Sequence, residues 1–155
     1  MPEVRLVGLH KEYPGVIAVK NVSITFTTAT VTCLLGPSGC GKTTTTLVLV
    51  KLLEAMKAKV LLAAPTGRAA QRMMDVTGKE SKTIHRLLEW QIGKFNKNEE
   101  NPLDVDFLIV DECSMLDINL TASLLKAVPP NSQVLFIGDA DQLLESLIAV
   151  FIGPV

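Results

Sequence analysis

Disulfide chemistry, excess charge and long apolar runs are all missing from this 155-residue sequence, and each absence removes a class of protein. Its three cysteines, Cys33, Cys40 and Cys113, are scattered without a CxxC pair, and an odd number cannot pair fully within one chain. They read as reduced thiols and not as a disulfide or zinc framework. The formal net charge of -1 offers no general attraction to nucleic acid, so any such binding must come from a local patch. No apolar run reaches the ~18 residues that a membrane span needs. The N-terminus MPEVRLVGLHKEYPG carries acidic and polar residues where a signal peptide would be apolar. No membrane partner and a cytoplasmic location are therefore expected.

What is present is the composition of a globular chain, 48% hydrophobic and 20% charged. Its length suits one domain that buries roughly two-thirds of its unfolded surface. Apolar runs of strand length alternate with stretches of helical period, which predicts an α/β fold of parallel strands joined by crossover helices. The strand candidates are Val31 to Leu35, Lys59 to Ala64, Asp106 to Val110 and Gln133 to Gly138, each apolar enough to be covered on both faces. Helices are expected at about Gly41 to Lys57, Gly67 to Val76, Lys82 to Gln91 and Ile118 to Ala127, the last stopped by Pro129 and Pro130. VRLVGL and VSITFT flank the turn-rich YPG with no helix between them, so residues 1–30 are expected to form an antiparallel β appendage. Residues 31–143 make the core. Gly93 to Pro102 reads as a surface loop, and 144–155 as an apolar tail ending in a fifth strand, Ala149 to Ile152.

The chemistry begins at Gly36-Pro-Ser-Gly-Cys-Gly-Lys-Thr43, which fits G-x-x-x-x-G-K-[ST] between a strand and a helix. Gly36, Gly39 and Gly41 allow backbone conformations that side chains forbid. The amides of Pro37's neighbours Ser38, Gly39, Cys40, Gly41, Lys42, Thr43 and Thr44 can then turn onto phosphate oxygens at a helix N-terminus. Lys42 supplies a mobile positive charge for the outer phosphates, and the Thr43 hydroxyl can complete the coordination of Mg2+. Thr44 to Thr46 have modest helix propensity, so packing must hold the start of that helix.

A phosphate loop calls for an acid at the end of another buried strand, and FLIVDE delivers two, Asp111 and Glu112. Adjacent residues leaving a strand point to different sides, so their roles divide. Asp111 is the partner of Mg2+, and Glu112 the general base that polarises attacking water. A third strand ends in GDADQL, where Asp139, Asp141 and Gln142 bring polar groups to the carboxyl edge of the sheet. Gln142 both donates and accepts hydrogen bonds, which suits a residue touching the terminal phosphate or positioning water.

From about Leu47 to Leu143 the sequence resembles the first motor domain of RecD-like DNA helicases of superfamily one. VLLAAPTGRAAQRM, TIHRLL, FLIVDECSML and IGDADQL carry the likeness, in the right order. That resemblance implies a RecA-like P-loop NTPase sandwich with ATP as cofactor, Glu112 as base and Gln142 as phosphate sensor. It also implies contacts to single-stranded DNA around Pro65 to Arg68 and Thr83 to His85. Residues 4–46 instead resemble the start of an ABC transporter ATPase domain, in which an aromatic residue at the position of Tyr13 stacks on adenine. The transporter signature LSGGQ is absent downstream. The change of resemblance near Thr46 implies a hybrid, engineered or designed, joined inside the phosphate-loop helix.

Several side chains carry two readings. Tyr13 is an adenine platform or a turn tyrosine. Arg68, Arg72, Lys79, Lys82 and Arg86 form a basic region that is a nucleic-acid contact or a solvated helix face. His85 is expected to be packed or hydrogen-bonded, and Trp90 to belong to the core. The resulting expectation is a Mg-dependent ATP-binding domain, at best a slow ATPase, since an arginine finger from a second motor domain is worth ~10^3 to 10^5 in rate. The rival readings are a nucleotide-binding module or design scaffold without turnover, and a single-stranded DNA-binding helicase fragment.

Overall fold

The computed structural model describes residues 2–139. The expected strand at Ala149 to Ile152 and the side chains of Asp141 and Gln142 lie outside the described residues.

Two layers of elements enclose a parallel sheet. The chain opens with β1 (Val4–Tyr13) and β2 (Val16–Phe26), which pair antiparallel around the Pro14-Gly15 turn. Then come β3 (Val31–Leu35), α1 (Lys42–Ala55), β4 (Val60–Ala64), α2 (Gly67–Thr77), β5 (Ser81–Thr83) and α3 (Ile84–Leu87). After these, β6 (Trp90–Gln91) and β7 (Lys94–Phe95) form a miniature hairpin, followed by β8 (Phe107–Val110), α4 (Ile118–Ala127) and β9 (Gln133–Gly138). Five strands form one parallel sheet in the order β3-β9-β8-β4-β5. The fold is the expected mainly parallel α/β sandwich with an antiparallel β appendage.

Strands β8 and β9 are buried at every position, and their alternation feeds two cores. Phe107, Ile109, Leu135 and Ile137 face a layer containing Leu49, Val50 and Leu53 of α1 and Val4, Leu6 and Phe26 of the hairpin. Leu108, Val110, Val134 and Phe136 face Ile84 and Leu87 of α3 and Leu120, Leu124 and Ala127 of α4. The hairpin is anchored by the edge-to-face contact of Phe26 and Phe107, with ring centroids 5.4 Å apart. Gln133 adds a polar stitch, its amide nitrogen donating to the carbonyls of Phe26 (3.3 Å) and Pro2 (3.2 Å).

Four expectations need correction. The helix foreseen from Lys82 to Gln91 is a single turn, Ile84–Leu87. Thr83 caps it, Glu89 takes a left-handed conformation (φ 54°), and Trp90 pairs with Phe95 across a turn at Ile92 and Gly93 (φ 25° and 84°). Trp90 is consequently no core residue: it is 49% exposed and packs on Phe95 (4.7 Å) and His85 (6.1 Å). The segment foreseen as a pure loop begins with β7. Nor is β3 covered on both faces, because it is the sheet edge and leaves Cys33 and Leu35 exposed.

Candidate functional site

Parallel strands send their carboxyl ends to one edge of the sheet, and a cavity of about 530 Å3 opens there. The phosphate loop forms its floor. The Gly36 amide donates to the Gly138 carbonyl (3.4 Å), tying the start of the loop to the end of β9. Gly41 is left-handed (φ 94°), and a Cβ there would lie 2.4 Å from the Ala18 carbonyl oxygen of β2. The loop therefore needs glycine at this point both for its turn and to let the hairpin close on it.

The helix that follows is prepared differently from its neighbours. Thr66 caps α2 by accepting from the Ala69 amide (3.2 Å), and Asp117 caps α4 by accepting from the Leu120 amide (2.8 Å). No side chain caps α1, and like α2 and α4 it holds no acid in its first turn. Its leading amides and the positive end of its dipole are thus left for an anion. The Thr45 and Thr46 hydroxyls donate back to the Gly41 (3.0 Å) and Lys42 (2.9 Å) carbonyls, so these buried threonines are satisfied inside the helix. The Lys42 ammonium folds over its own loop, donating to the carbonyls of Gly36 and Pro37 (3.0 Å) and pairing with Asp139 (3.3 Å).

The acid pair leaves β8 toward the same cavity. The Asp111 amide donates to the Ala63 carbonyl (3.0 Å), and its carboxylate accepts from the Glu112 amide (2.8 Å). Burial pushes the Asp111 carboxyl above the usual carboxylate range, against the Glu112 amide and the Arg72 guanidinium, which pull it down. Glu112 is left-handed (φ 54°), a conformation that costs a non-glycine residue about 1–3 kcal/mol and turns the chain into the Cys113–Met115 helical turn. Cys113 is wholly buried, and burial pushes its thiol up to about 12, so it is inert.

Of the candidates read from the sequence, Ser38, Gly39, Gly41, Lys42, Thr43, Thr44, Asp111 and Glu112 all line this one cavity. Gly36, Pro37, Cys40 and Tyr13 are not among the lining residues. Tyr13 lies at the hairpin tip with the Lys11 ammonium 5.2 Å from its ring centre, while Val16, Ile17 and Ala18 reach the cavity instead. Pro65 to Arg68 and Thr83 to His85 follow the carboxyl ends of the paired strands β4 and β5.

Sequence reasoning missed the part played by Arg72. Its guanidinium leaves α2 to meet Glu112 Oε1 (2.5 Å) and lies 3.8 Å from Asp111 Oδ2. No local signal announces a contact between positions 40 residues apart. Lys79 and Lys82 of the same basic region pair with Glu54 (3.1 Å) and Glu80 (3.8 Å).

A glycine-rich strand-to-helix loop after β3, an uncapped helix and an acid pair after β8, one strand removed in the same parallel sheet, define a P-loop NTPase fold. The chain belongs to the AAA domain family, whose model matches residues 20–147. It is 48% identical over 110 residues to the ATP-dependent RecD2 DNA helicase of Deinococcus radiodurans, covering 71% of this chain and 15% of that protein. It is 35% identical over 137 residues to the RecBCD enzyme subunit RecD of Mycobacterium tuberculosis, covering 73% and 24%. The ATP-dependent DNA helicase dda of phage T4 is 35% identical over 116 residues, covering 70% and 26%. The chain thus spans about a quarter or less of the curated relatives it matches. An ATP-binding cassette of an ABC transporter, solved in its ADP conformation, shares the fold with a TM-score of 0.54 at 14% identity, over 90% of this chain and 82% of that one. No helix among the described residues is long and apolar enough to cross a membrane.

Proposed function

We propose that the chain is a single nucleotide-binding domain that binds ATP with Mg2+ and hydrolyses it, as an isolated motor domain of the RecD-like kind. The observation that carries this reading is the convergence of Lys42, Thr43, Asp111, Glu112 and the uncapped start of α1 on one cavity. The α1 amides and Lys42 hold the phosphates, and Glu112 orients the attacking water and takes its proton. Val16, Ile17 and Val76, all exposed apolar side chains at the cavity wall, seat the base.

The donor set fits Mg2+. The Thr43 hydroxyl and the Asp111 carboxylate are hard oxygen ligands in the same cavity, and no group of three acidic, histidine or cysteine ligands occurs among the described residues. Such a site takes the cation together with phosphate and water, not in a protein cage. Bound there, Mg2+ neutralises charge on the outer phosphates. Turnover is slow without the arginine finger of a second motor domain, which is worth ~10^3 to 10^5 in rate. Gln142, outside the described residues, is assigned the phosphate-sensing role.

The phosphate-release assay with Mg-ATP tests this directly. Lys42→Ala should lose binding, while Glu112→Gln should keep binding and lose release. No release from the parent protein would leave only a binding module.

Two finer readings accompany it. Exposed Gly67, Arg68 and His85 at the ends of β4 and β5 offer a contact for single-stranded DNA, and a titration with labelled oligonucleotide at low salt that shows no binding discards it. The family match begins at residue 20, so β1 and the hairpin tip stand outside it. The match then runs unbroken through α1 to residue 147, so a hybrid of transporter-like and helicase-like parts joined within α1 rests on the change of resemblance near Thr46 alone. A natural relative carrying both halves at full length would refute that origin.

A further inference from the structure

Two cations line the cavity among the described residues, and each is held by an acid: Lys42 by Asp139 at 3.3 Å, Arg72 by Glu112 at 2.5 Å. The phosphate loop explains the first. Nothing in the loop, or in the assignment of Asp111 and Glu112, explains why a helix on the far side of β4 should send a guanidinium to the water-polarising carboxylate.

Stability does not explain it either. The Arg72 side chain is 63% exposed, and an ion pair so open to water adds little to folding because solvent screens it and ordering the long side chain offsets the gain. Such a pair is, however, easily exchanged. Arg72 always carries its charge and presents a planar fork of donors that fits a phosphate as well as a carboxylate. A triphosphate entering this cavity brings several negative charges to the space that Arg72 and Lys42 already line, and it competes with single carboxylates for both cations.

We propose that Arg72 is a phosphate-binding residue supplied from within the domain, and that it guards Glu112 until a triphosphate arrives. With the cavity free of nucleotide, the guanidinium occupies the carboxylate oxygen that must hold the attacking water. When a triphosphate binds, Arg72 transfers its hydrogen bonds to the outermost phosphate and Glu112 is released for water. No covalent bond changes at Arg72 and it moves no proton. A diphosphate, lacking the outer group, leaves the Arg72 to Glu112 pair in place. The inference rests on the cavity's being a nucleotide site.

The discriminating quantity is the ratio of triphosphate to diphosphate affinity, which a merely structural ion pair would not move. Titrations with ADP and with the non-hydrolysable β,γ-imido analogue of ATP, both with Mg2+, are run on the parent chain, Arg72→Ala, Arg72→Gln, Arg72→Lys and Lys42→Ala. Arg72→Ala and Arg72→Gln should weaken the triphosphate analogue about 10- to 100-fold, the loss of one charged hydrogen-bonding group. ADP should stay within about 3-fold. Arg72→Lys, which keeps the charge and loses the fork, should fall between. An unchanged ratio in the alanine and glutamine variants overturns the proposal while the nucleotide reading stands. Lys42→Ala should weaken both nucleotides, and failure of the parent to bind either one overturns the nucleotide reading and this inference with it.

Discussion

The hairpin β1–β2 and the five-stranded sheet bury their apolar side chains by different rules. In β8 and β9 every position is buried, because helices or the hairpin cover both faces. In the 10-residue β1 only Val4 and Leu6 are buried, and in the 11-residue β2 only Val19 and Phe26. Val4, Leu6 and Phe26 are buried at the open end of the hairpin, next to α1 and Phe107, while Val19 is buried near the tip beside Gly41. The tip, with Tyr13, Val16 and Ile17 exposed, reaches over the phosphate loop and meets it at Ala18 and Val19. Its pairing is also irregular, with three register shifts and left-handed Gly8 and Asn21. The sheet is thus fixed by packing on two sides, whereas the hairpin is held by its open end and by the contact of Ala18 and Val19 with Gly41, with the rest of its length exposed.

The largest effect should come from breaking the shared anchor. Phe107 is fully buried and touches both regions, so Phe107→Ala should cost about 3–5 kcal/mol in denaturant unfolding. Phe26→Ala should instead remove hydrogen-exchange protection mainly from β1 and β2 while the amides of β8 and β9 stay protected. Equal loss across both regions would show that they unfold as one unit.

A second break targets the place where the hairpin meets the loop. Gly41→Ala combines a left-handed φ of 94° with a Cβ 2.4 Å from the Ala18 oxygen. It should cost about 1–3 kcal/mol and lower nucleotide affinity together. Unchanged melting and binding would mean that the hairpin does not press on the loop.

A third tests the core's own compromise. Burial raises the Asp111 carboxyl above its ordinary value, so its contribution to folding is complete below that ordinary value and is lost as pH rises through the raised one. Near neutrality the ionised form opposes folding, and Asp111→Asn should raise Tm, a gain that shrinks on acidification. The same variant should weaken Mg-dependent nucleotide binding. A lower Tm at neutral pH would contradict the burial argument.

The smallest effect concerns the hairpin tip. Tyr13 is exposed and outside the cavity lining, so Tyr13→Ala should stay within about 0.5 kcal/mol in stability. ATP affinity should change less than about 3-fold in equilibrium titration. A larger loss would return the base to Tyr13 and away from Val16 and Ile17.

The parts legible in the sequence are those whose pattern and structure coincide locally. Val31 to Leu35, Gln133 to Gly138 and Ile118 to Ala127 form their elements over the residues expected, because continuous apolar runs and an Asp117 cap leave one solution. LLEWQI misled because two apolar positions separated by a polar one suit a helix or a hairpin equally. The left-handed Glu89 and the pairing of Trp90 with Phe95 decided for the hairpin.

Within the site, the phosphate loop and the Asp111-Glu112 pair were fixed by motif and context, since glycine conformations and a strand-end acid are demands of the local backbone. Their meeting in one cavity depended on strand order, which places β3, β9, β8 and β4 side by side although the chain visits them out of sequence. The same order left β3 at an edge and exposed Cys33. Arg72's contact with Glu112 belongs wholly to the tertiary structure. Coulombic pairing acts through space, across 40 residues, and no spacing along the chain encodes it.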